Sequence, residues 1–358
     1  MESDSTAVRP FRQHGGTGEM VRLALVNLGL NIVTLSFWRF WGRTRVRRLL
    51  WGTTTAWDDP VEYTGTGKEL LKGFVLALLL IYLPLVAGFS WAQSLIMADD
   101  PVGEGMLGVL YILAALLIAA GTYRARRYQM SRTVWRGIRG GQGGSAVAYA
   151  ARSLLVWLAV PISLGWAWPW GEMWLARYRL GHTRFGDRGF VCDAGVAGLY
   201  GRFAVVWACG VVFTALVLGL TAMMTGMFEA GLIDEAAAVA IVVVAMPPLS
   251  IIVLALPWAW YRAAFLSRMA TGTVFEGCRF SAAVTTWPLV RLAVGNGLIS
   301  LLSLGTLRPW AALRTFRFTC AVVSLEGHPD FAAIHQTTQA GPSMGEGVMT
   351  VLDGAGEF

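Results

Sequence analysis

Four stretches of this sequence contain no Asp, Glu, Lys, Arg or His: residues 73–98, 203–228 and 236–261, of 26 residues each, and residues 105–123, of 19. An α-helix rises about 1.5 Å per residue and the hydrocarbon core of a bilayer is about 30 Å thick, so each stretch is long enough to span one. A soluble core helix of that length needs a polar face, and these have none. Composition agrees: 55% of the 358 residues are hydrophobic and 14% charged, where soluble domains average about 25% charged. An ordinary soluble enzyme is excluded. Disorder is excluded too, because disordered chains are poor in apolar residues.

The four stretches form two pairs. The first pair is joined by a connection holding Asp99, Asp100 and Glu104, the second by one holding Glu229, Asp234 and Glu235, with no Lys or Arg in either. Arg124, Arg126, Arg127, Arg132, Arg136 and Arg139 follow the first pair, and Arg262 and Arg268 the second. Positive flanks face the cytoplasm, so both acidic loops are expected outside. Net charge is +7, and only Lys68 and Lys72 are lysine. The arginines flank apolar runs instead of gathering on one polar face, which argues for anionic headgroups and against nucleic acid. Cys192, Cys209, Cys278 and Cys320, like His14, His182, His328 and His335, lie in no metal or redox spacing. No metal and no cofactor are expected. The polar N-terminus has no apolar stretch of the signal-peptide kind, so insertion is expected to rely on internal spans.

The chain also resembles itself. Segments starting at Asn31, Val160 and Ser300 align, matching Leu35 with Leu164 and Leu304, Trp41 with Trp170 and Trp310, and Arg48 with Arg177 and Arg317. The spans fall between successive copies. The middle copy lies between two pairs that both return to the cytoplasm, so its apolar helix must begin and end on one side. Pro161 and Pro169 within it argue for a broken, re-entrant or in-plane element. Short Thr- and aromatic-rich runs bracketing Gly/Asp turns, such as residues 183–192, read as β-hairpins. The expected fold is therefore an all-α integral membrane protein with small cytoplasmic β-rich segments and three internal repeats separated by two transmembrane helical hairpins. Its parts are residues 8–68 (first repeat), 69–123 (hairpin), 133–199 (second repeat), 200–261 (hairpin), 273–335 (third repeat) and 336–358 (a mobile tail).

One combination of residues is similar to a known family. Phe11, Gly15 and Glu19, Asn27 in the first helix, Thr34, Leu35 and Ser36, then Trp41 and the arginine run 43–48 resemble the start of YjgN-like bacterial inner-membrane proteins. Ser36 replaces that family's usual glycine, while Gly165 and Gly305 keep it, and the pairs Pro169–Trp170 and Pro309–Trp310 fit the later repeats. The similarity covers roughly residues 8–326. It implies an integral inner-membrane protein without an established activity and brings no catalytic residues.

The residues themselves offer no catalytic constellation. Gly65, Thr66, Gly67 and Lys68 lack the spacing and the following Ser or Thr of a phosphate loop, so a turn is expected there and the chain is read as no enzyme. Glu172 is the one candidate for an intramembrane charge. The plainer reading pairs it with Arg177 or Arg179. Asn27, Asn31 and Asn296 are expected to bond between helices. Trp41, Trp170 and Trp310 are expected at the membrane interface. Arg48, Arg177 and Arg317, each seven positions later and so on the same helix face, are expected on lipid phosphates, the alternative being an intramolecular salt bridge or ordinary topogenic charge. Transport or permeation of a small solute or lipid is the expected function, with a membrane-organising, anionic-lipid-binding role as the alternative.

Overall fold

A computed structural model describes residues 8–337. Residues 338–358, most of the expected mobile tail, lie outside the described residues. Five helix pairs alternate with short strands. The pairs are α1 (Thr17–Val33) with α2 (Arg39–Gly52), α3 (Gly67–Ala77) and α4 (Leu83–Met97) with α5 (Val102–Arg132), α6 (Ala146–Ile162) with α7 (Trp168–Gly181), α8 (Leu199–Glu229) with α9 (Glu235–Thr271), and α10 (Thr286–Leu302) with α11 (Arg308–Val322). A π-helical turn, Leu78–Tyr82, joins α3 to α4, giving one helix from Gly67 to Met97. That helix, α5, α8 and α9 are long and apolar enough to cross a membrane. The other pairs fall short: α1, α6 and α10 have 17 residues each, about 25 Å at 1.5 Å per residue.

The strands are β1 (Phe11–Gln13), β2 (Thr54–Ala56), β3 (Asp59–Tyr63), β4 (Thr133–Trp135), β5 (Ile138–Gln142), β6 (Thr183–Phe185), β7 (Arg188–Gly189), β8 (Val191–Cys192), β9 (Thr273–Phe275), β10 (Cys278–Ala282) and β11 (Val323–Glu326). Neighbours pair in sequence order and antiparallel, from β1 to β7 and from β8 to β11. These two runs meet at both ends. Residues 188–192 form one extended segment, with the Phe190 N–H donating to the Thr183 carbonyl at 3.0 Å. At the other end Val8 and Leu325 exchange backbone bonds of 3.0 and 2.8 Å. The ladder therefore closes into a ring, where the sequence reads as separate hairpins. Divided pairing of the longer strands is the reason. β3 meets β2 through Asp59 and Pro60 and meets β4 through Val61, Glu62 and Tyr63, so each hairpin hands the ladder to the next.

Local sequence sets the hairpins. Trp57 and Asp58, Arg136 and Gly137, and Glu276 and Gly277 all have positive φ, the backbone that a two-residue turn needs to match strand twist. Four helices enter their strands through a threonine. The hydroxyls of Thr54, Thr133, Thr183 and Thr273 donate to the carbonyls of Leu50, Gln129, Arg179 and Met269 at 2.7–2.9 Å, satisfying acceptors left open at a helix C-terminus.

The three short pairs turn alike. Thr34, Ser163 and Ser303 accept from the N–H of Trp38, Ala167 and Leu307. Leu35, Leu164 and Leu304 then sit at φ 48–49°, in the left-handed region that usually takes glycine. The break in the middle pair falls at this turn and not at its prolines. Pro161 lies within the last turn of α6, and Pro169 starts α7, where its missing N–H costs nothing. Apolar packing is distributed along the ring. One cluster joins α7, α8 and α9 around Met173, Leu199 and Tyr261, a second joins α1, α2 and α11 around Met20, Leu50 and Leu313, and a third joins Phe40, Leu70 and Tyr128.

Thr133 also accepts the Trp51 indole N–H at 3.0 Å. Thr133→Val removes that acceptor, with an expected loss of about 1 kcal/mol or more. Thr133→Ser keeps it, so thermal unfolding in detergent should show the valine variant melting lower and the serine variant close to the parent.

Candidate functional site

Inside the ring lies a cavity of about 400 Å³, within the range of about 300–1,000 Å³ typical of small-molecule sites. The first and third residues of the short strands face it, as the period of two requires: Thr54 and Ala56, Thr133 and Trp135, Thr183 and Phe185. Phe11, Phe190, Phe275, Phe280 and Leu325 also line it, and Arg184 is the charged residue of the lining. The lining is dominated by aromatic and aliphatic carbon, so it suits an apolar body and offers little to a polar one.

The segment after β11 closes over this cavity as a strap. Phe331 packs edge-on against Trp57 and Trp135, with ring centroids 4.7 and 4.9 Å apart. Ile334 is buried. The backbone at Asp187 donates to the His335 carbonyl at 2.9 Å, and the Asp187 carboxylate accepts the His335 N–H at 3.0 Å. The Gln336 side chain accepts the Arg139 N–H at 2.7 Å. Gly186 has to be small as well as left-handed (φ 60°), since a Cβ there would stand 2.4 Å from the His335 carbonyl. The His335 N–H, with Arg188 3.7 Å away, holds the exposed Asp187 carboxyl below its ordinary pKa.

The helix pairs are tied to one another above the ring. Six positions before each entering strand stands a donor, and each donor reaches a backbone carbonyl just ahead of the next pair. Arg48 donates to the Gly65 carbonyl at 2.9 Å, and Arg127 to Gly143 at 2.9 Å and to Gly144. Arg177 donates to Ala194 at 2.5 Å, Ser267 to Ala282 at 2.9 Å, and Arg317 to Gly15, with Thr17 at 3.1 Å. The last of these returns to the start of α1 and closes the circuit.

Residues 8–351 match the family described as bacterial protein of unknown function, DUF898. The chain belongs to this family. The matched span takes in every strand of the ring and the strap, and the likeness to YjgN-like proteins is consistent with it. No curated protein and no solved structure matches the chain.

In this DUF898 chain the residues singled out from sequence are spread over several helix contacts. Arg48, Arg177 and Arg317 are in the circuit just described, bonded to carbonyls of the chain itself. Trp41 packs on the start of α3, where a Cβ at Gly67 would stand 2.8 Å from its ring. Trp310 packs against the α1–α2–α11 cluster, and Trp170 stacks on Trp174 at 5.1 Å. Glu172 pairs with neither Arg177 nor Arg179. It accepts from Arg262 and from the Tyr261 hydroxyl at 2.9 Å, because α7 packs beside α9 and brings both groups to it. Glu69 is held the same way between α3 and α5, by Tyr128 at 2.6 Å and Arg132 at 3.1 Å. Asn27 and Asn296 do bond between helices, to the carbonyls of Gly42 and Ala311, whereas the buried Asn31 Oδ1 meets no donor. Sequence reading missed Arg127 and Ser267, and with them the whole cavity wall. The signal available was a Thr–x–apolar run six residues after an Arg or Ser.

Two outcomes follow. A triple variant Arg48→Gln, Arg177→Gln, Arg317→Gln should melt lower in lipid-free detergent, by on the order of 1 kcal/mol per site; a purely headgroup role would lower stability only when anionic lipid is present. For the strap, a carboxyl with a depressed folded pKa stabilises at neutral pH and loses that contribution as pH falls through the depressed value. Hydrogen exchange across residues 329–336 should therefore quicken only below the ordinary carboxylate range, and Asp187→Asn should abolish that dependence.

Proposed function

We propose that this protein is a multi-pass bacterial inner-membrane protein that binds a small apolar or amphiphilic molecule, lipid or lipid-like, in the ring cavity and passes it between bilayer and cytoplasm without catalysis. The observation that carries the reading is the cavity: about 400 Å³, walled by aromatic rings and joined to helices of bilayer length. Basic residues at the ring ends of α5 and α9, against acidic residues in their distal loops, support a cytoplasmic ring. The five helix pairs read as one unit used five times, three times short and twice extended across the membrane. Phe331 in the strap is the side chain an incoming ligand displaces.

A membrane-organising role is the second reading, and a basic cleft of about 360 Å³ formed by Arg9, Arg12, Gln13 and Arg317 favours it. Titration of the delipidated full chain with the fluorescent probe N-phenyl-1-naphthylamine separates the two. Saturable binding that weakens at least tenfold in Ala56→Leu, with the melting point held within a few degrees, supports the cavity site. No saturable binding, or binding indifferent to Ala56→Leu, overturns it.

A further inference from the structure

The ring gives every helix a common floor, so height above it can be counted in residues. On α5 the charge nearest the apolar stretch is Arg124, nine positions before Thr133; on α9 it is Arg262, eleven before Thr273. At 1.5 Å per residue these lie about 14 and 17 Å above the ring. Next comes a belt of tryptophan. Trp41, Trp170, Trp260 and Trp310 each stand thirteen positions before Thr54, Thr183, Thr273 and Val323, the first residues of the strands that follow. That is about 20 Å up, and tryptophan collects where bilayer meets water.

The three short pairs rise only just past this belt. α2, α7 and α11 begin fifteen positions before their strands, about 22 Å up, and the turns cap them there. Those turns expose Val33, Leu35 and Phe37 by 81, 86 and 63%, Ile162 and Leu164 by 82 and 76%, and Leu302 and Leu304 by 81 and 93%. Each leucine occupies a left-handed backbone that disfavours any residue with a Cβ. Three strained, outward-facing leucines at one height need a common apolar surface. The four long helices standing in the same circle already enter one.

Insertion also has an upper limit. α2 and α11 each begin with an arginine, Arg39 and Arg308, directly below the apolar turn. Sinking the pairs to mid-membrane would bury those charges in hydrocarbon, whereas at headgroup height they meet phosphate. We infer that the turns around Leu35, Leu164 and Leu304 are lipid anchors that enter only the ring-side leaflet, neither spanning the membrane nor reaching its midplane. This rests on the reading of α5 and its long neighbours as membrane spans.

The test is nitroxide depth measurement on the full chain in phosphatidylglycerol/phosphatidylethanolamine vesicles, with Cys192, Cys209, Cys278 and Cys320 changed to Ser. Single cysteines replace Leu35, Leu164 or Leu304, with Ala115 in mid-α5 as the deep reference and Gly137 in a ring turn as the aqueous one. All sites are exposed or on turns except the helical reference, and circular dichroism checks each variant. The expected result is three labels shielded from aqueous nickel relaxer relative to Gly137 and less accessible to oxygen than Ala115. Labels as wet as Gly137, or as deep as Ala115, overturn the proposal while leaving the spans intact. An Ala115 label open to the aqueous relaxer overturns the membrane reading itself.

Discussion

Everything in this structure depends on closure of the strand ring. Isolated hairpins of three to five residues are marginal in water, and an open ladder leaves unpaired N–H and C=O groups at its edges. The Val8–Leu325 exchange removes both edges at once. It joins residues more than three hundred positions apart, so the ring can form only when all five helix pairs have been made. The side-chain circuit above it, from Arg48 to Gly65 round to Arg317 on Gly15, obeys the same logic. Each donor satisfies a carbonyl belonging to the neighbouring pair, so every pair is held by the one before it.

That construction accounts for where polar groups are placed. Charged side chains occupy the slab between the ring and the apolar helix stretches, where helices meet in twos and threes and partners are within reach. Glu69 takes Tyr128 and Arg132, Glu172 takes Tyr261 and Arg262, and Arg47, buried to 1% exposure, reaches the Tyr63 hydroxyl at 3.1 Å. A buried carboxylate or guanidinium is tolerable only when paired and hydrogen-bonded. Above the slab the long helices run without charge until Glu104, Glu229 and Glu235 at their distal ends, and below it the ring turns its aromatic residues inward. The apolar cavity is thus separated from the apolar helix stretches by a polar layer, and the strap covers it.

Part of this was legible beforehand because it follows from local composition. Spans declare themselves by length without charge, turns by Gly and Asp, and the recurrence of Trp41, Trp170 and Trp310 by plain alignment. The cavity was not legible. Phe11, Trp135, Phe190, Phe275 and Phe331 are scattered over most of the chain, and each by itself reads as an ordinary apolar strand or loop residue. Arg127 and Ser267 escaped for a related reason: they sit at the ends of long apolar helices that do not resemble the short pairs, although they occupy the same place above the ring.

The sequence alone determined which segments are long and apolar enough to cross a membrane and which ends carry the positive charge. These depend on the residues within a helix turn or a hairpin, and such forces act over a few positions. Tertiary structure alone decided that the strands close into a ring, that Glu172 belongs to Arg262, that the recurring arginines hold carbonyls of the chain, and that Phe331 covers a cavity. Those outcomes depend on which distant segments become neighbours, and only the packing of the helix pairs against each other settles that.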